Sequence, residues 1–173
     1  MKMCGPTPYA KINAGSDMAC IKGGRRPMYS IGLEQLNPAL MSSLYQEWES
    51  FTAQYPDATR SVVLTECYDY AKARTVPNDA TAYPGRACNY YILASMYYND
   101  ASLDGEAESF GARFRQRLKN DTKEGKTSVY ANFGSGDEKA EDMYGGLERV
   151  ERLRGLKEKW DPRGVFSCYN PVA

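Results

Sequence analysis

The segment Cys88–Tyr98 constrains the fold more than any other part of the sequence. Its residues, CNYYILASMYY, include no Asp, Glu, Lys or Arg, and apolar or aromatic side chains fall on both alternating faces. A strand that is apolar on both faces is covered on both faces. We therefore predict that this segment is a long strand inside a layered domain.

Two further segments have the composition of strands. Ser61–Cys67 (SVVLTEC) places Val62, Leu64 and Glu66 on one face by alternation. Thr127–Phe133 (TSVYANF) is predicted as a third strand.

Apolar residues at helical spacing predict three main helices. The first begins at Asn37-Pro38, because Asn is a good N-cap and Pro suits the first helical position. The apolar stripes are Leu40, Leu44, Trp48, Phe51 and Tyr55, then Phe110, Phe114 and Leu118, and finally Leu147, Val150, Leu153, Leu156 and Trp160. Without regular βαβ alternation, this order predicts an α+β fold: an antiparallel sheet with helices packed on one face.

The length of 173 residues fits a single domain, 1–173. Residues 1–36 read as an irregular N-terminal segment in which a short strand is compatible with Met28–Ile31.

Composition excludes several kinds of function. The chain has no histidine, which removes Ser-His-Asp and Cys-His catalysis and every His-containing metal site. Because Lys+Arg and Asp+Glu both number 22, we expect no nucleic-acid or anionic-membrane partner. The five cysteines have long spacings and no CxxC, so we expect no metal site and no disulfide framework. No apolar run of membrane-spanning length or signal-like N-terminus occurs, and the expected location is cytoplasmic.

The last third of the chain resembles a known family. The strings SVYANF (128–133), YGGLER (144–149) and LRGLKEKWDPRGVF (153–166) are similar to the C-terminal signature of the berberine-bridge-enzyme-like FAD-linked oxidases. The segment from Thr75-Val76-Pro77 to Tyr83-Pro84-Gly85-Arg86 is similar to that family's segment ending in Phe-Pro-His-Arg. The resemblance implies part of the substrate domain of the vanillyl-alcohol-oxidase-type flavoproteins, in a form found in fungal natural-product pathways.

The resemblance also implies what is absent. Family enzymes carry an N-terminal flavin-binding domain, and its glycine-rich pyrophosphate loop and flavin-linked His have no counterpart here. Met1 reads as a natural start, so we expect a free-standing truncated domain, with an excised fragment as the alternative. Arg86 and Asn132 match the family motif, whereas Gly85, Ile92 and Phe133 replace the motif's His, a glutamate thought to act as base and a Tyr.

Several residues are therefore candidates for a site. Glu66 lies on the same apolar strand face as Val62 and Leu64, where burial is expected to raise its pKa so that it can act as an acid. The alternative is that Glu66 pairs with Arg86 or Arg60. Tyr91 and Tyr130 complete the predicted catalytic set, and a core role for such strand aromatics is the alternative. The predicted substrate-binding residues are Arg86, Asn132, Phe133, Ile92 and Tyr97.

These expectations favour a cofactor-free enzyme that binds a small natural-product intermediate and catalyses a cyclisation, pericyclic or isomerisation step. Such a step needs shape, apolar walls and a few hydrogen bonds rather than redox machinery. The alternatives are the C-terminal half of an FAD-linked oxidoreductase, with FAD supplied by a separate domain, and a non-catalytic binding protein. Since the sheet face that would meet a flavin domain is left uncovered, we expect a homodimer.

Overall fold

Three antiparallel strands form the centre of the fold. The structure is a computed structural model that describes residues 5–20, 22–122 and 128–172. The strands are β1 (Met28–Leu33), β2 (Val62–Cys67) and β3 (Tyr90–Ser95), in the spatial order β1-β3-β2. In this register Ile92 of β3 pairs with Ile31 on one side and Thr65 on the other. The central strand is the one whose sequence is apolar on both faces, as predicted, because only β3 has neighbours on both edges.

Five α-helices accompany the sheet: α1 (Pro38–Gln54), α2 (Ala71–Arg74), α3 (Asp104–Asn120), α4 (Ala140–Tyr144) and α5 (Leu147–Trp160). Helix α1 begins where the sequence predicts, since the Asn37 side chain accepts hydrogen bonds from the backbone N–H groups of Ala39 and Leu40. Among the described residues, the segment before β1 holds a 3-10 helix, Tyr9–Cys20.

Helices α1 and α3 pack on one face of the sheet and form the main core. Phe51 of α1 and Phe110 of α3 have ring centroids 4.7 Å apart, and both belong to the cluster that contains Ile31 and Ile92 of the sheet. Both isoleucines are fully buried. This is the α+β architecture that the sequence predicts, with helices on one face of an antiparallel sheet.

The predicted strand Thr127–Phe133 is wrong. Thr127 lies outside the described residues, and Ser128 makes only an isolated bridge to Gly32 of β1. The Val129 N–H donates to the Asp142 carbonyl oxygen, and the Phe133 N–H turns back to donate to the Tyr130 carbonyl oxygen. The chain therefore leaves the sheet after one contact, and Ala131–Phe133 forms a 3-10 turn.

Helix α5 contacts α4 and leaves most of its apolar stripe uncovered. Val150 is buried, but Leu147, Leu156 and Trp160 are exposed. In the described part of the chain, no helix is both long enough and apolar enough to cross a bilayer.

Candidate functional site

The sheet face opposite α1 and α3 is covered on one half and open on the other. Over β1, the turn that follows Ser128 covers the sheet, and the Ser30 hydroxyl donates to the Phe133 carbonyl oxygen. Over β2, no described segment covers the strand in this way, and Val62 and Leu64 are 52% and 44% exposed. The boundary between the two halves runs along β3 and forms the candidate site.

The three predicted catalytic residues meet at this boundary. Glu66 is the register partner of Tyr91, so their side chains are neighbours on the same face. The rings of Tyr91 and Tyr130 lie 5.8 Å apart. Glu66 is half-buried on an edge strand, so it does not have the enclosed apolar surroundings expected from the sequence.

Tyr68 also belongs to the site, although the sequence did not single it out. Its side chain is 52% exposed, and the negative charge of Glu66 raises the pKa of its phenol, which also hydrogen-bonds to that carboxylate. A signal was available, because Glu66 and Tyr68 are two residues apart and alternation places them on one face.

Asn132 and Phe133 flank Tyr130 at the covered half. The Asn132 amide nitrogen Nδ2 donates to the Tyr130 hydroxyl oxygen at 2.9 Å. The Phe133 ring packs edge-on against the Tyr130 ring, with centroids 5.2 Å apart. Two of the predicted substrate-binding residues are therefore placed beside a predicted catalytic one.

Behind Tyr91 lies a chain of phenols. The Tyr83 hydroxyl lies 3.3 Å from both the Tyr91 and the Tyr70 hydroxyls. Burial raises the pKa of Tyr91 and of Tyr70, and it also raises the pKa of the neighbouring Cys88 thiol. Tyr91, Tyr70 and Cys88 are consequently protonated at neutral pH, and they can donate or relay hydrogen bonds but do not act as bases.

Gly85 makes room for Tyr91. A Cβ added at position 85 would overlap the Tyr91 hydroxyl and lie 2.8 Å from the Tyr83 hydroxyl, whereas real Cβ contacts essentially never fall below 3.0 Å. The glycine that replaces the family's motif histidine is thus required by the tyrosine that this chain carries on β3.

Arg86, which the sequence predicts to bind substrate, has its guanidinium buried and hydrogen-bonded to other residues of the protein. It is 8% exposed, and its guanidinium donates to the Tyr83 carbonyl oxygen, the Thr81 hydroxyl and the Asn78 side chain. These bonds hold the loop that carries Tyr83, so the role that the structure gives to Arg86 is to position this loop.

Two other predicted substrate-binding residues lie away from the site. Ile92 follows Tyr91 in β3 and so points to the opposite face, where it is fully buried in the core under the helices. Tyr97 lies beyond the end of β3, where the guanidinium carbons of Arg26 and Arg60 stand 4.8 and 4.0 Å from its ring centroid. The structure therefore brings neither residue to the site, Ile92 because of strand alternation and Tyr97 because of its distance along the strand.

The candidate site is an open face rather than an enclosed cavity. One groove of about 620 Å³ is lined by residues that include Arg74 and Arg86, and another of about 400 Å³ runs between α1 and α3. Neither is lined by Glu66, Tyr91 or Tyr130. Among the described residues, no group of three or more Cys, Asp or Glu side chains is placed to hold a metal ion.

Comparison with known proteins assigns this arrangement to a family. Residues 129–172 match the family model "Berberine and berberine like". The chain is 32% identical over 165 residues to the FAD-linked oxidoreductase hasG of Aspergillus fumigatus, and 33% identical over 161 residues to the FAD-linked oxidoreductase OXR1 of Pyricularia oryzae. The chain is therefore similar to part of the berberine-bridge-enzyme-like FAD-linked oxidoreductases.

The chain corresponds to only part of these relatives. The two matches cover 91% of the chain but 35% and 32% of the two relatives, so the chain spans about a third of their length. Among solved structures, a variant of BBE-like 1 from Physcomitrella patens matches with a TM-score of 0.68 at 17% identity, over 91% of this chain and 33% of that one. A carbohydrate oxidase from Microdochium nivale matches with a TM-score of 0.57 at 18% identity, over 87% and 32%. These likenesses show that the chain shares the fold of about a third of each of these two proteins.

The expectation that the protein works without a cofactor is wrong for this family, because the relatives are FAD-linked oxidoreductases. The described residues fit one part of FAD, its isoalloxazine ring. The open half of the sheet face offers Leu64 and Tyr68, and Tyr130 borders it from the covered half. Together they form an apolar and aromatic surface with hydroxyls at its edge that suits a planar isoalloxazine ring. The sequence has no GxGxxG or GxxxxGK[ST] motif for the pyrophosphate, so the residues present fit the ring and not the whole dinucleotide.

Proposed function

We propose that this chain is the substrate-side part of an FAD-linked oxidoreductase and acts together with a separately supplied flavin-binding part. The observation that carries the proposal is the open half of the sheet face beside β2. There, Val62 and Leu64 are exposed, whereas most residues of β1 and β3 are buried. A soluble domain rarely leaves such a surface uncovered, and the relatives have two thirds of their length beyond the part that matches this chain.

The substrate class that we propose is a small natural-product intermediate. The relatives are fungal proteins, from Aspergillus fumigatus, Pyricularia oryzae and Penicillium roqueforti among others. A half-open face with phenols, an amide and a single carboxylate is suited to a neutral or weakly polar molecule with a few hydrogen-bonding groups.

In this proposal, Tyr130 and Asn132 orient the substrate. Because the Asn132 amide already donates to the Tyr130 oxygen, the remaining Tyr130 hydroxyl proton is free to be donated outward. Tyr68 and Glu66 form a second donor–acceptor pair across the open half, and the raised pKa of Tyr68 keeps its proton on the phenol oxygen. When bound, the flavin would supply the hydride acceptor that no side chain of this protein can provide.

A split-protein experiment tests the proposal. The hasG relative is expressed as two pieces: the tagged portion that this chain does not match, and either its own matched portion or the present chain. We expect the present chain to co-purify with the tagged piece and to increase the amount of bound flavin, which is measured by its visible absorbance. The relative's own matched portion is the positive control.

Two substitutions on neighbouring residues make the test specific. Leu64→Lys places a charge on the open face, whereas Thr65→Lys places the same charge on the opposite face of the same exposed strand. We expect Leu64→Lys to abolish co-purification and Thr65→Lys to preserve it. If the positive control assembles but the present chain does not, or if both lysine variants behave alike, the proposal is wrong.

A further inference from the structure

Strand β2 lies at an edge of the sheet and has an unusually unprotected composition. Its sequence, VVLTEC, has high β-propensity and contains one charge, no Lys, no Pro and no Gly. Proteins usually protect an edge strand with lysine, proline, a bulge or a covering segment. Val62, Leu64 and the flanking Tyr68 are each exposed by more than two fifths, so this edge lacks those devices in the described part of the chain.

The hydrogen bonds to β3 identify which backbone groups of β2 are free. The Tyr68 N–H donates to the Asn89 carbonyl oxygen, so position 68 faces β3. In an antiparallel pair the residues that bond to the partner strand alternate. Leu64 and Glu66 therefore direct their backbone groups toward β3, and Val63 and Thr65 direct theirs outward.

We propose that the β2 edge pairs with β2 of a second copy of this chain, antiparallel and across a two-fold axis. The outward groups of Val63 on one copy would bond those of Thr65 on the other, which centres the register on Leu64 and joins two three-stranded sheets into one of six strands. This inference concerns the edge of the sheet and does not rest on the proposed function, which concerns its face.

The charges of β2 favour this self-complementary register. Glu66 falls opposite Val62 of the second copy and diagonal to its Arg60, so opposite charges approach and no like charges meet. The second copy thereby contributes to the candidate site, because its Val62 and Arg60 lie beside Glu66.

The pairing is expected to be weak and dependent on concentration. A six-residue strand and its flanks bury much less than the roughly 800 Å² per partner that is typical of stable complexes. Sedimentation velocity in the presence of a reductant, over a wide range of protein concentration, should therefore show a reversible monomer–dimer equilibrium. A monomer at every concentration would overturn the proposal.

Hydrogen exchange on the unmodified chain identifies the edge. The amides of Val63 and Thr65 should be protected in concentrated samples and should exchange rapidly on dilution. The amides of Leu64 and Glu66, which face β3, are the internal control and should be protected at both concentrations. Association that leaves the Val63 and Thr65 amides unprotected would place the interface elsewhere and refute the proposal.

Thr65→Pro is the matching variant, and Thr65→Val is its control. Proline removes only an outward N–H at this edge position, which edge strands tolerate, whereas valine keeps that donor. We expect Thr65→Pro to raise the dimer dissociation constant by more than about tenfold, because one lost donor on each copy removes two bonds of about 1 kcal/mol. Thr65→Val should leave the constant unchanged, and equal dimerisation of the two variants would contradict the edge pairing. If Thr65→Pro does not fold, the exchange experiment on the unmodified chain still decides the question.

Discussion

The fit between Gly85 and Tyr91 gives the sharpest test of how the site is built. Gly85→Ala would place a methyl group onto the Tyr91 hydroxyl, and a buried tyrosine cannot move aside freely. The backbone of Gly85 is not in the left-handed region, so the substitution carries no conformational penalty of its own. The cost is therefore a steric one that depends on Tyr91.

The size of that cost follows from the contacts. Overpacking a well-packed site costs about 1–3 kcal/mol, and replacing glycine by alanine recovers about 0.5 kcal/mol through the unfolded chain. We expect Gly85→Ala to lower the free energy of unfolding by about 2 kcal/mol. Tyr91→Phe should cost about 1 kcal/mol for the lost bond to Tyr83. In the Tyr91→Phe background the alanine should cost less than about 1 kcal/mol, because the nearest clashing atom is gone.

Urea unfolding followed by far-ultraviolet circular dichroism measures these values. With a slope of about 2 kcal/mol per molar urea, Gly85→Ala should lower the midpoint by about 1 M. Gly155→Ala is the control, since a Cβ at that position of α5 meets nothing within 4 Å and should stabilise the helix by about 1 kcal/mol. Equal costs of Gly85→Ala in the two backgrounds would refute the reasoning, because no coupling between the two positions would then exist.

Three further outcomes are expected. Arg115→Met should destabilise the chain by about 3 kcal/mol in urea unfolding, because the Glu138 side chain is 3% exposed and would lose its ion-pair partner; a loss below about 1 kcal/mol would contradict this. Hydrogen bonds from the Asp100 backbone N–H and its neighbour hold the pKa of Asp57 below its ordinary 3.8, so the stability that Asp57 contributes is present above pH 3.8 and is lost as pH falls through the folded pKa. NMR titration of the Asp57 carboxyl carbon checks this, and an ordinary midpoint would refute it. Burial raises the pKa of Tyr98 to about 12, so its contribution is present below the unfolded value of 10.0 and is lost as pH rises through about 12. An ultraviolet titration should show a phenolate step at about pH 12 that is absent in Tyr98→Phe.

Strand alternation explains which candidate residues of the sheet meet at the site. It places Glu66 and Tyr91 on one face, where they are register partners, whereas Tyr130 approaches Tyr91 from a turn rather than from a strand. Ile92 was selected by its position in a family motif, against the alternation that places it on the opposite face from Tyr91. The local rule was the better guide, because side-chain direction in a strand is fixed by the backbone.

The error over the third strand has a different origin. The composition of residues 127–133 favours a strand, and nothing local shows that the Val129 N–H will find the Asp142 carbonyl oxygen. Asp142 lies 13 positions after Val129 in the sequence, so only the folded chain could reveal this hydrogen bond. Likewise, Arg86 can donate hydrogen bonds to the Tyr83 carbonyl oxygen and the Thr81 hydroxyl only when the loop that carries them has folded.

The sequence by itself determined the central strand, the start of α1 and the layered α+β architecture, because apolar periodicity and helix capping act within a few residues of each other. The tertiary structure alone decided that one half of the second sheet face is open, that β2 is an unprotected edge and that the tyrosine on β3 requires glycine at position 85. These features depend on which distant segments meet. Packing and hydrogen-bond competition between such segments are settled only when the whole chain is folded.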